Sequence, residues 1–221
     1  MKQVLSPVWP KDFSSEEIAA AKTLFAKALS ITLHSFYGGM TQVVPRVPTD
    51  SPEHFNWIYT PGASGPSTAI RDDAEMSYEL SNRSERVLVF SDGSRVLGDG
   101  NLGAAGGMPV MEGKALLMVK YGGIHATPIC IDSRGNNGRS NAQKMIDFVK
   151  MAAPSFGAVN LEDIQQPECY EVLDVLREEC DIPVWHDDAQ GTASVTLAGL
   201  INALKLADKK MSEVKIVLLG A

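Results

Sequence analysis

The stretch GAVNLEDIQQPECYEVLDVLREECDIPVWHDD (residues 157–188) decides the fold class. It begins with a short apolar run at 158–161 and closes with a second one at 182–185. Between them, apolar side chains recur at helical spacing, at Cys169, Val172, Leu173 and Leu176. A strand, a helix and a strand at this spacing favour two parallel strands joined by a crossover helix.

The alternation of strands and helices continues on the N-terminal and C-terminal sides of this stretch. Further strands are predicted at 87–90 and 127–131, and further helices around 145–152 and 197–204. An apolar run at 115–119 is compatible with either a helix or a strand. We therefore expect an α/β fold in which a parallel-rich sheet carries helices on both faces.

The C-terminal run at 214–219 is continuous, apolar and rich in β-branched residues, and Gly220 and Ala221 follow it. A nucleotide-binding βαβ unit begins with such a strand and turn. We expect the chain to end at the first strand of a Rossmann domain. It would then be one domain of a longer protein or a truncated product.

An N-terminal helical segment is expected to precede the sheet. Ser14 and Glu17 form the S-x-x-E pattern of a capping box, and apolar residues at helical spacing follow it. This pattern predicts a helix over 15–30. Residues 38–56 are rich in Gly, Pro and polar side chains, which predicts a long surface connection.

Composition excludes several classes of protein. The 221 residues carry a net charge of −7, so the chain has no general attraction for nucleic acid. The apolar runs are too short to cross a bilayer, and the N-terminus lacks the apolar core of a signal peptide. Three cysteines without a C-x-x-C pair argue against structural zinc and a disulfide framework, and predict free thiols in a reducing cytoplasm.

Two pairs of acidic residues follow predicted strands: Glu162 with Asp163, and Asp187 with Asp188. Ligands gather at the carboxyl ends of parallel strands, so these side chains are candidates for a shared site. A cluster of carboxylates favours Mg²⁺ or Mn²⁺ over Zn²⁺. The alternative is that Asp163 and Asp188 cap the helices that follow them.

Three further side chains are candidates for a functional role. Lys114 lies among apolar neighbours, where packing can lower the pKa of a lysine and make it a general base. Alternatively, its head group reaches solvent. Tyr59 precedes a Thr-Pro-Gly turn and is either a proton donor or a packed aromatic residue. His186 is expected to be hydrogen-bonded rather than a metal ligand.

The segment 98–103 fits the G-x-G-x-x-G pattern of dinucleotide-binding loops. Because Gly106, Gly107 and Pro109 follow it, we expect no helix to begin there, and the pattern then loses the context that gives it meaning. A polar loop that approaches a small anion is the preferred interpretation, with Arg95 nearby to bind a carboxylate.

Taken together, five segments resemble the malic enzyme family, in the family's order and over most of the chain from Tyr59 onward. The segments are YTPG (59–62), SDGSRVLGDGNLGAAGGMPVMEGKALL (91–117), GGIHATPICID (122–132), PSFGAVNLEDI (154–164) and IPVWHDDAQGTASVTLAGLINALKL (182–206).

This resemblance implies roles for the candidate residues. Glu162, Asp163 and Asp188 match the family's three metal-ligating carboxylates. The other matches are Tyr59 as general acid, Lys114 as general base, Asp187 as the acid beside that lysine, and Arg95 as the arginine that binds a malate carboxylate. No residue of the chain is matched to the nicotinamide cofactor.

The resemblance also implies a function and a division of the chain. The function is metal-dependent oxidative decarboxylation of L-malate to pyruvate and CO₂ with NAD or NADP, in a cytoplasmic homodimer. The division is an N-terminal helical segment (1–45), a malic domain for substrate and metal (46–188) and the start of a dinucleotide-binding domain (189–221). The alternatives are a malolactic-type enzyme or, for the chain alone, a non-redox metal and dicarboxylate binder or dimerisation module. Hydride transfer is not expected of the chain alone.

Overall fold

The structure, a computed structural model, describes residues 9–10 and 12–218, and its chain divides into two compact units at Gln42 and Val43. The first unit contains helix α1, Ser15–Tyr37. The predicted capping box is confirmed, because the Glu17 N–H donates to Ser14 Oγ and the Ser14 N–H donates to Glu17 Oε2. The helix begins as predicted and continues beyond residue 30.

The second unit contains seven further α-helices and four strands among the described residues. The helices are α2 (Pro52–Ile58), α3 (Ser64–Asp72), α4 (Ser77–Leu80), α5 (Gly103–Leu117), α6 (Ala142–Ala152), α7 (Glu168–Glu179) and α8 (Thr192–Leu206). The strands are β1 (Arg86–Ser91), β2 (His125–Cys130), β3 (Ala158–Leu161) and β4 (Val184–His186).

The four strands form one parallel sheet in the order β2-β1-β3-β4. Phe90 of β1 pairs with Leu161 of β3, and Leu161 pairs in turn with His186 of β4. The carboxyl ends of these three strands therefore lie side by side. The residues that follow them, including both acidic pairs, emerge at one edge of the sheet.

Helices cover both faces of the sheet, which confirms the expected fold class. On one face, Leu88 and Phe90 are fully buried in a core that α6 and α7 complete, and the rings of Phe90 and Phe148 stack at 5.5 Å. Val89 points to the opposite face, since side chains alternate along a strand. There α5 packs on β1 and β2, and its Met111 is fully buried.

The expectation that no helix begins after residue 103 is wrong. Helix α5 starts at Gly103 and continues through Pro109. Close packing outweighs the poor helix propensity of this segment. A Cβ at Gly93 would lie 2.1 Å from the Gly103 carbonyl oxygen, and a Cβ at Gly107 would lie 3.2 Å from Gly93 Cα. The run at 115–119, left open from the sequence, is helical.

Even so, the segment 98–103 lacks the geometry of a dinucleotide fingerprint. That fingerprint requires a tight turn between a strand and the helix that follows it. Here β1 ends at Ser91, so residues 92–102 separate it from α5.

Two other segments differ from the sequence-based expectation. The predicted connection 38–56 is interrupted by α2, whose first turn is capped by Ser51. Within the predicted strand 214–219, Val214 has an extended backbone, but residues 214–218 pair with no strand. A strand needs the hydrogen bonds of a neighbour, and this run has none in the described chain. Residues 219–221 lie outside the described part.

The three cysteines form no disulfide, as predicted. Burial raises the pKa of Cys130 to about 11, so this thiol stays protonated at neutral pH. No helix in the described residues is both long enough and apolar enough to span a membrane.

Candidate functional site

Three acidic side chains meet at the carboxyl edge of the sheet. Glu162 and Asp163 directly follow β3, and Asp188 lies just beyond β4. Each offers one carboxylate oxygen, and these oxygens lie within 4.8 Å of one another. Glu162 and Asp163 are buried, whereas Asp188 is half-exposed. The structure therefore brings together the three carboxylates that the sequence singled out.

Asp163 is held in an unusual backbone conformation, with φ at 53°. Its N–H donates to Asp188 Oδ2 at 2.8 Å, and its carbonyl oxygen accepts from the Arg95 N–H at 3.0 Å. The Leu97 N–H donates to Asp163 Oδ1 at 3.4 Å. Helices α7 and α8 begin without a side-chain cap, so the interpretation of Asp163 and Asp188 as capping residues is wrong.

The carboxylate cluster has the donor chemistry of a divalent cation site. Asp163 Oδ2 is buried and has no hydrogen-bond partner. Burial raises the pKa of Glu162 to about 7, and burial together with the charge of Asp188 raises the pKa of Asp163 to about 6. The positive charge of Lys114 lowers the pKa of both groups, but the cost of burial outweighs it, so the ionised cluster is only partly compensated. Oxygen ligands of this kind fit Mg²⁺ or Mn²⁺.

Glu162 is oriented by two neighbours. The Asn160 amide Nδ2 donates to its Oε2 at 2.9 Å, and Lys114 Nζ lies 3.0 Å from its Oε1. The sequence analysis missed Asn160. The available signal was a polar side chain between two apolar ones in a buried strand, since Asn160 is only 4% exposed.

Lys114 reaches the cluster from helix α5. Besides Glu162, its Nζ contacts Asp187 Oδ2 at 2.7 Å. Burial alone would lower the pKa of Lys114, but hydrogen bonds and charges from Asp187 and Glu162 raise it above its ordinary value. The expectation that apolar packing lowers this pKa is therefore wrong, because the lysine packs against two carboxylates.

The turn after β4, Asp187–Gly191, contains two acids, and these contact different partners. Asp187 faces Lys114, whereas Asp188 faces the Asp163 backbone. His186 precedes this turn and is 1% exposed, and its Nδ1 accepts from the Ala189 N–H at 3.4 Å. Burial lowers the pKa of His186, so its imidazole is neutral at pH 7. It lies beside the acidic cluster as a hydrogen-bonded residue.

The carboxylates open into a cavity of about 1040 Å³. Its polar end is lined by Arg95, Glu162, Asp163 and Asp188. Its apolar end is lined by residues of α8 and by Ile216 and Leu218. At the polar end, the guanidinium of Arg95 can bind an anion close to the three acids of the candidate cation site.

Tyr59, Lys114 and Asp187 are not among the residues that line the cavity. Lys114 and Asp187 still contact the cluster or each other, whereas Tyr59 has no hydrogen bond to another candidate in the described residues. This tyrosine follows α2 and is 72% exposed. Segment 43–85 precedes the sheet and contributes no strand to it. The sheet edge that gathers the acids therefore does not fix the position of this tyrosine.

Fold and site define a parallel α/β protein with clustered carboxylates at the carboxyl edge of its sheet. The family described as "Malic enzyme, N-terminal domain" matches residues 46–177. The chain belongs to this family.

Relatives with assigned names agree with this membership. The chain is 45% identical over 183 residues to the NAD-dependent malic enzyme of Geobacillus stearothermophilus, covering 83% of this chain and 37% of the relative. It is 39% identical over 192 residues to the bifunctional malic/malolactic enzyme of Bacillus subtilis (strain 168), covering 87% and 45% respectively. The chain thus spans less than half the length of these relatives.

Solved structures show the same fold. The crystal structure of Entamoeba histolytica malic enzyme superposes with a TM-score of 0.87 at 54% sequence identity, and the match covers 91% of this chain and 42% of that one. Malic enzyme from Pyrococcus horikoshii Ot3 gives a TM-score of 0.73 at 50% identity, over 79% of this chain and 39% of that one.

Proposed function

We propose that this chain forms the metal- and substrate-binding part of a malic enzyme, which converts L-malate to pyruvate and CO₂ with NAD or NADP. The observation that carries the proposal is the convergence of three carboxylates within 4.8 Å, with a lysine 3.0 Å from one of them. Family membership over residues 46–177 supports the same reaction.

Glu162, Asp163 and Asp188 are proposed to hold Mg²⁺ or Mn²⁺. The cation supplies Lewis acidity, which lowers the pKa of a coordinated hydroxyl and stabilises negative charge on oxygen. Arg95, at the polar end of the cavity, is proposed to bind a carboxylate of the dicarboxylate substrate.

Lys114 and Asp187 are proposed to handle the proton that leaves the substrate hydroxyl. In the structure both carboxylates beside Lys114 keep it protonated. A cation held by Glu162 would engage one of those carboxylates, and this would lower the pKa of Lys114 towards the range of a general base. The contact of 2.7 Å to Asp187 provides an acceptor for a proton that the lysine holds.

The phenol of Tyr59 is proposed to donate the proton that converts the decarboxylated intermediate to pyruvate. The exposed side chain of Tyr59 reaches a substrate only when closure of the cavity or a second copy of the chain brings it there. A homodimer is therefore part of the proposal, as is a cytoplasmic location, where the nicotinamide cofactors are abundant.

The nicotinamide cofactor is proposed for the whole protein, and no residue of this chain is assigned to it. The described residues do not fit a dinucleotide site, because 92–102 are too long for the fingerprint turn. We propose a division into a helical segment (1–45), a substrate and metal domain (46–188) and the beginning of a dinucleotide-binding domain (189–221).

A second candidate function is malolactic conversion, in which lactate replaces pyruvate as the product. The bifunctional name of the Bacillus subtilis relative favours it. Both reactions need the same metal and dicarboxylate site. Net production of reduced cofactor from malate indicates the malic reaction, and lactate without net reduction indicates the malolactic one. A non-redox role for the chain alone remains the third proposal.

The proposal is tested on this chain with Mn²⁺ and oxaloacetate, which need no nicotinamide. Mn²⁺ binding is measured by electron paramagnetic resonance, and CO₂ release from oxaloacetate is followed with and without metal. Asp163→Asn should weaken Mn²⁺ binding by more than tenfold, because it removes a charged ligand. Asp174→Asn, on the exposed face of α7, is the matched control. Absence of Mn²⁺ binding by the unmodified chain, or equal binding by both variants, would overturn the proposal.

A further inference from the structure

A third buried carboxylate, besides Glu162 and Asp163, lies in the loop that follows β1. Asp92 directly follows β1 and is 5% exposed. Its Oδ1 accepts from the Ser94 N–H at 3.0 Å and from Ser94 Oγ at 2.5 Å. Its Oδ2 accepts from Ser133 Oγ at 2.6 Å and also from Ser140 Oγ. Four donors therefore satisfy this buried charge, and they come from three separate places along the chain.

Hydrogen bonds lead from Asp92 through Ser94 to Gln165, two residues beyond Asp163. Ser94 Oγ donates to Asp92 and accepts from the Gln165 N–H at 2.9 Å. One residue further along, the Arg95 N–H donates to the Asp163 carbonyl oxygen at 3.0 Å. The loop that follows β1 is thus tied at two consecutive residues to the loop that carries Asp163.

Asp163 depends on this attachment more than Glu162 does. Glu162 continues the ladder of β3, because its N–H donates to the Phe90 carbonyl oxygen at 2.9 Å. Asp163 has left the ladder and has a left-handed backbone, which is strained for a residue other than glycine. Its conformation is fixed by the surrounding hydrogen bonds, and two of those come from residues 95 and 97.

We propose that Asp92 is a positioning residue, which acts through Ser94 to fix Asp163 and Arg95 in the geometry that binds cation and substrate carboxylate. Ligand side chains must be held within about 0.5 Å of the productive geometry, and buried hydrogen-bond networks provide such constraint. The three serines differ in what they reach. Ser94 connects Asp92 to the metal loop, whereas Ser133 contacts Asp92 alone among the hydrogen bonds of the described residues.

This difference provides a matched pair of variants. Ser94→Ala and Ser133→Ala each remove one buried hydroxyl bonded to Asp92, so both should lower the thermal unfolding temperature, Ser94→Ala by more because its hydroxyl also accepts from Gln165. Only Ser94→Ala cuts the path to Gln165. We expect it to weaken Mn²⁺ binding about 10- to 100-fold, the usual loss when a group that orients a ligand is removed. Ser133→Ala should stay within about threefold of the unmodified chain.

The inference rests on the proposed metal site, and different results would overturn the metal site and the role of Asp92. Absence of Mn²⁺ binding by the unmodified chain removes both. Binding by the unmodified chain with equal affinities for Ser94→Ala and Ser133→Ala overturns only the role of Asp92.

Asp92→Ala keeps the proposal testable if Ser94→Ala does not fold. Alanine removes the acceptor that holds Ser94, so Mn²⁺ affinity should fall about 10- to 100-fold, as for Ser94→Ala. A folded Asp92→Ala protein that binds Mn²⁺ as tightly as the unmodified chain would overturn the positioning role.

Discussion

The ammonium group of Lys114, on α5, lies 2.7 Å from the carboxylate of Asp187, 73 residues further along the chain. Helix α5 covers one part of the sheet. Asp187 follows β4 and lies at the carboxyl edge of the sheet. The contact therefore ties the helix to the edge that carries the three clustered acids. The second contact of Lys114, 3.0 Å from Glu162 Oε1, makes its charge dependent on the state of that cluster.

Replacement of Lys114 by methionine should separate proton transfer from metal binding. Methionine keeps the bulk of the side chain and removes the charge, so the fold should persist. In the whole enzyme, malate turnover should fall by about 10²–10⁴, the usual contribution of a general acid or base. Mn²⁺ affinity should be retained or increased, because a cation beside Glu162 is lost.

Steady-state kinetics and a Mn²⁺ titration of the same preparation make this comparison. Lys120→Met, on the turn that follows α5, is the matched control, since Lys120 is exposed. Undiminished turnover by the Lys114 variant would remove the lysine from the mechanism.

Mn²⁺ affinity should depend on pH through the two buried acids. The pKa is about 7 for Glu162 and about 6 for Asp163, and a metal ion binds their ionised forms. As pH falls through 7 and then 6, protons compete with Mn²⁺ and affinity should decrease. Calorimetry in buffers of different ionisation enthalpy should detect proton release on binding at pH 6. Affinity independent of pH between 5 and 8 would contradict this assignment.

The stability of the metal-free chain should show the opposite trend. Both carboxyl groups have a higher pKa in the folded chain than in the unfolded one, so the folded state binds more protons between about pH 4 and 7. Their contribution to stability is present at low pH and is lost as pH rises through 6 and 7. Denaturant unfolding of the unmodified chain and of Glu162→Gln, compared at pH 5 and pH 7.5, checks this: the glutamine variant should lose less stability over that range.

The sheet and the clustered acids could be predicted from the sequence because both follow from local pattern. Short apolar runs alternate with helical spacing, and parallel strands place whatever follows them at one edge. Glu162 and Asp188 therefore meet although 26 positions separate them in the chain. The same rule applies to Asp92, which directly follows β1 and which the sequence analysis did not single out.

Features set by close packing could not be predicted in this way. Helix α5 contains Pro109 and several glycines, and its existence depends on the approach of Gly107 to Gly93. The raised pKa of Lys114 likewise depends on two carboxylates that are distant in sequence. Neither property is visible in a window of neighbouring residues.

Tyr59→Phe tests the candidate that has no hydrogen bond to the other candidates in the described residues. Loss of the phenolic hydroxyl should lower malate turnover by the whole enzyme by about 10²–10⁴ if Tyr59 donates a proton. Mn²⁺ binding should be unchanged, because the tyrosine does not line the cavity. Tyr121→Phe removes a hydroxyl from another exposed tyrosine and is the control. Equal turnover by both variants would exclude Tyr59 as the donor.

Gly191 should be intolerant of a side chain, because a Cβ there would lie 2.5 Å from Asp187 Oδ1. Its φ of −64° imposes no strain of its own, so Gly191→Ala acts through this contact. Asp187 must turn away and lose Lys114, and malate turnover should fall at least tenfold. Gly199→Ala, in the same helical region, meets nothing within 4 Å and should stabilise α8 by about 0.5–1 kcal/mol without loss of turnover. If Gly191→Ala were as active as Gly199→Ala, the contact between Lys114 and Asp187 would be dispensable.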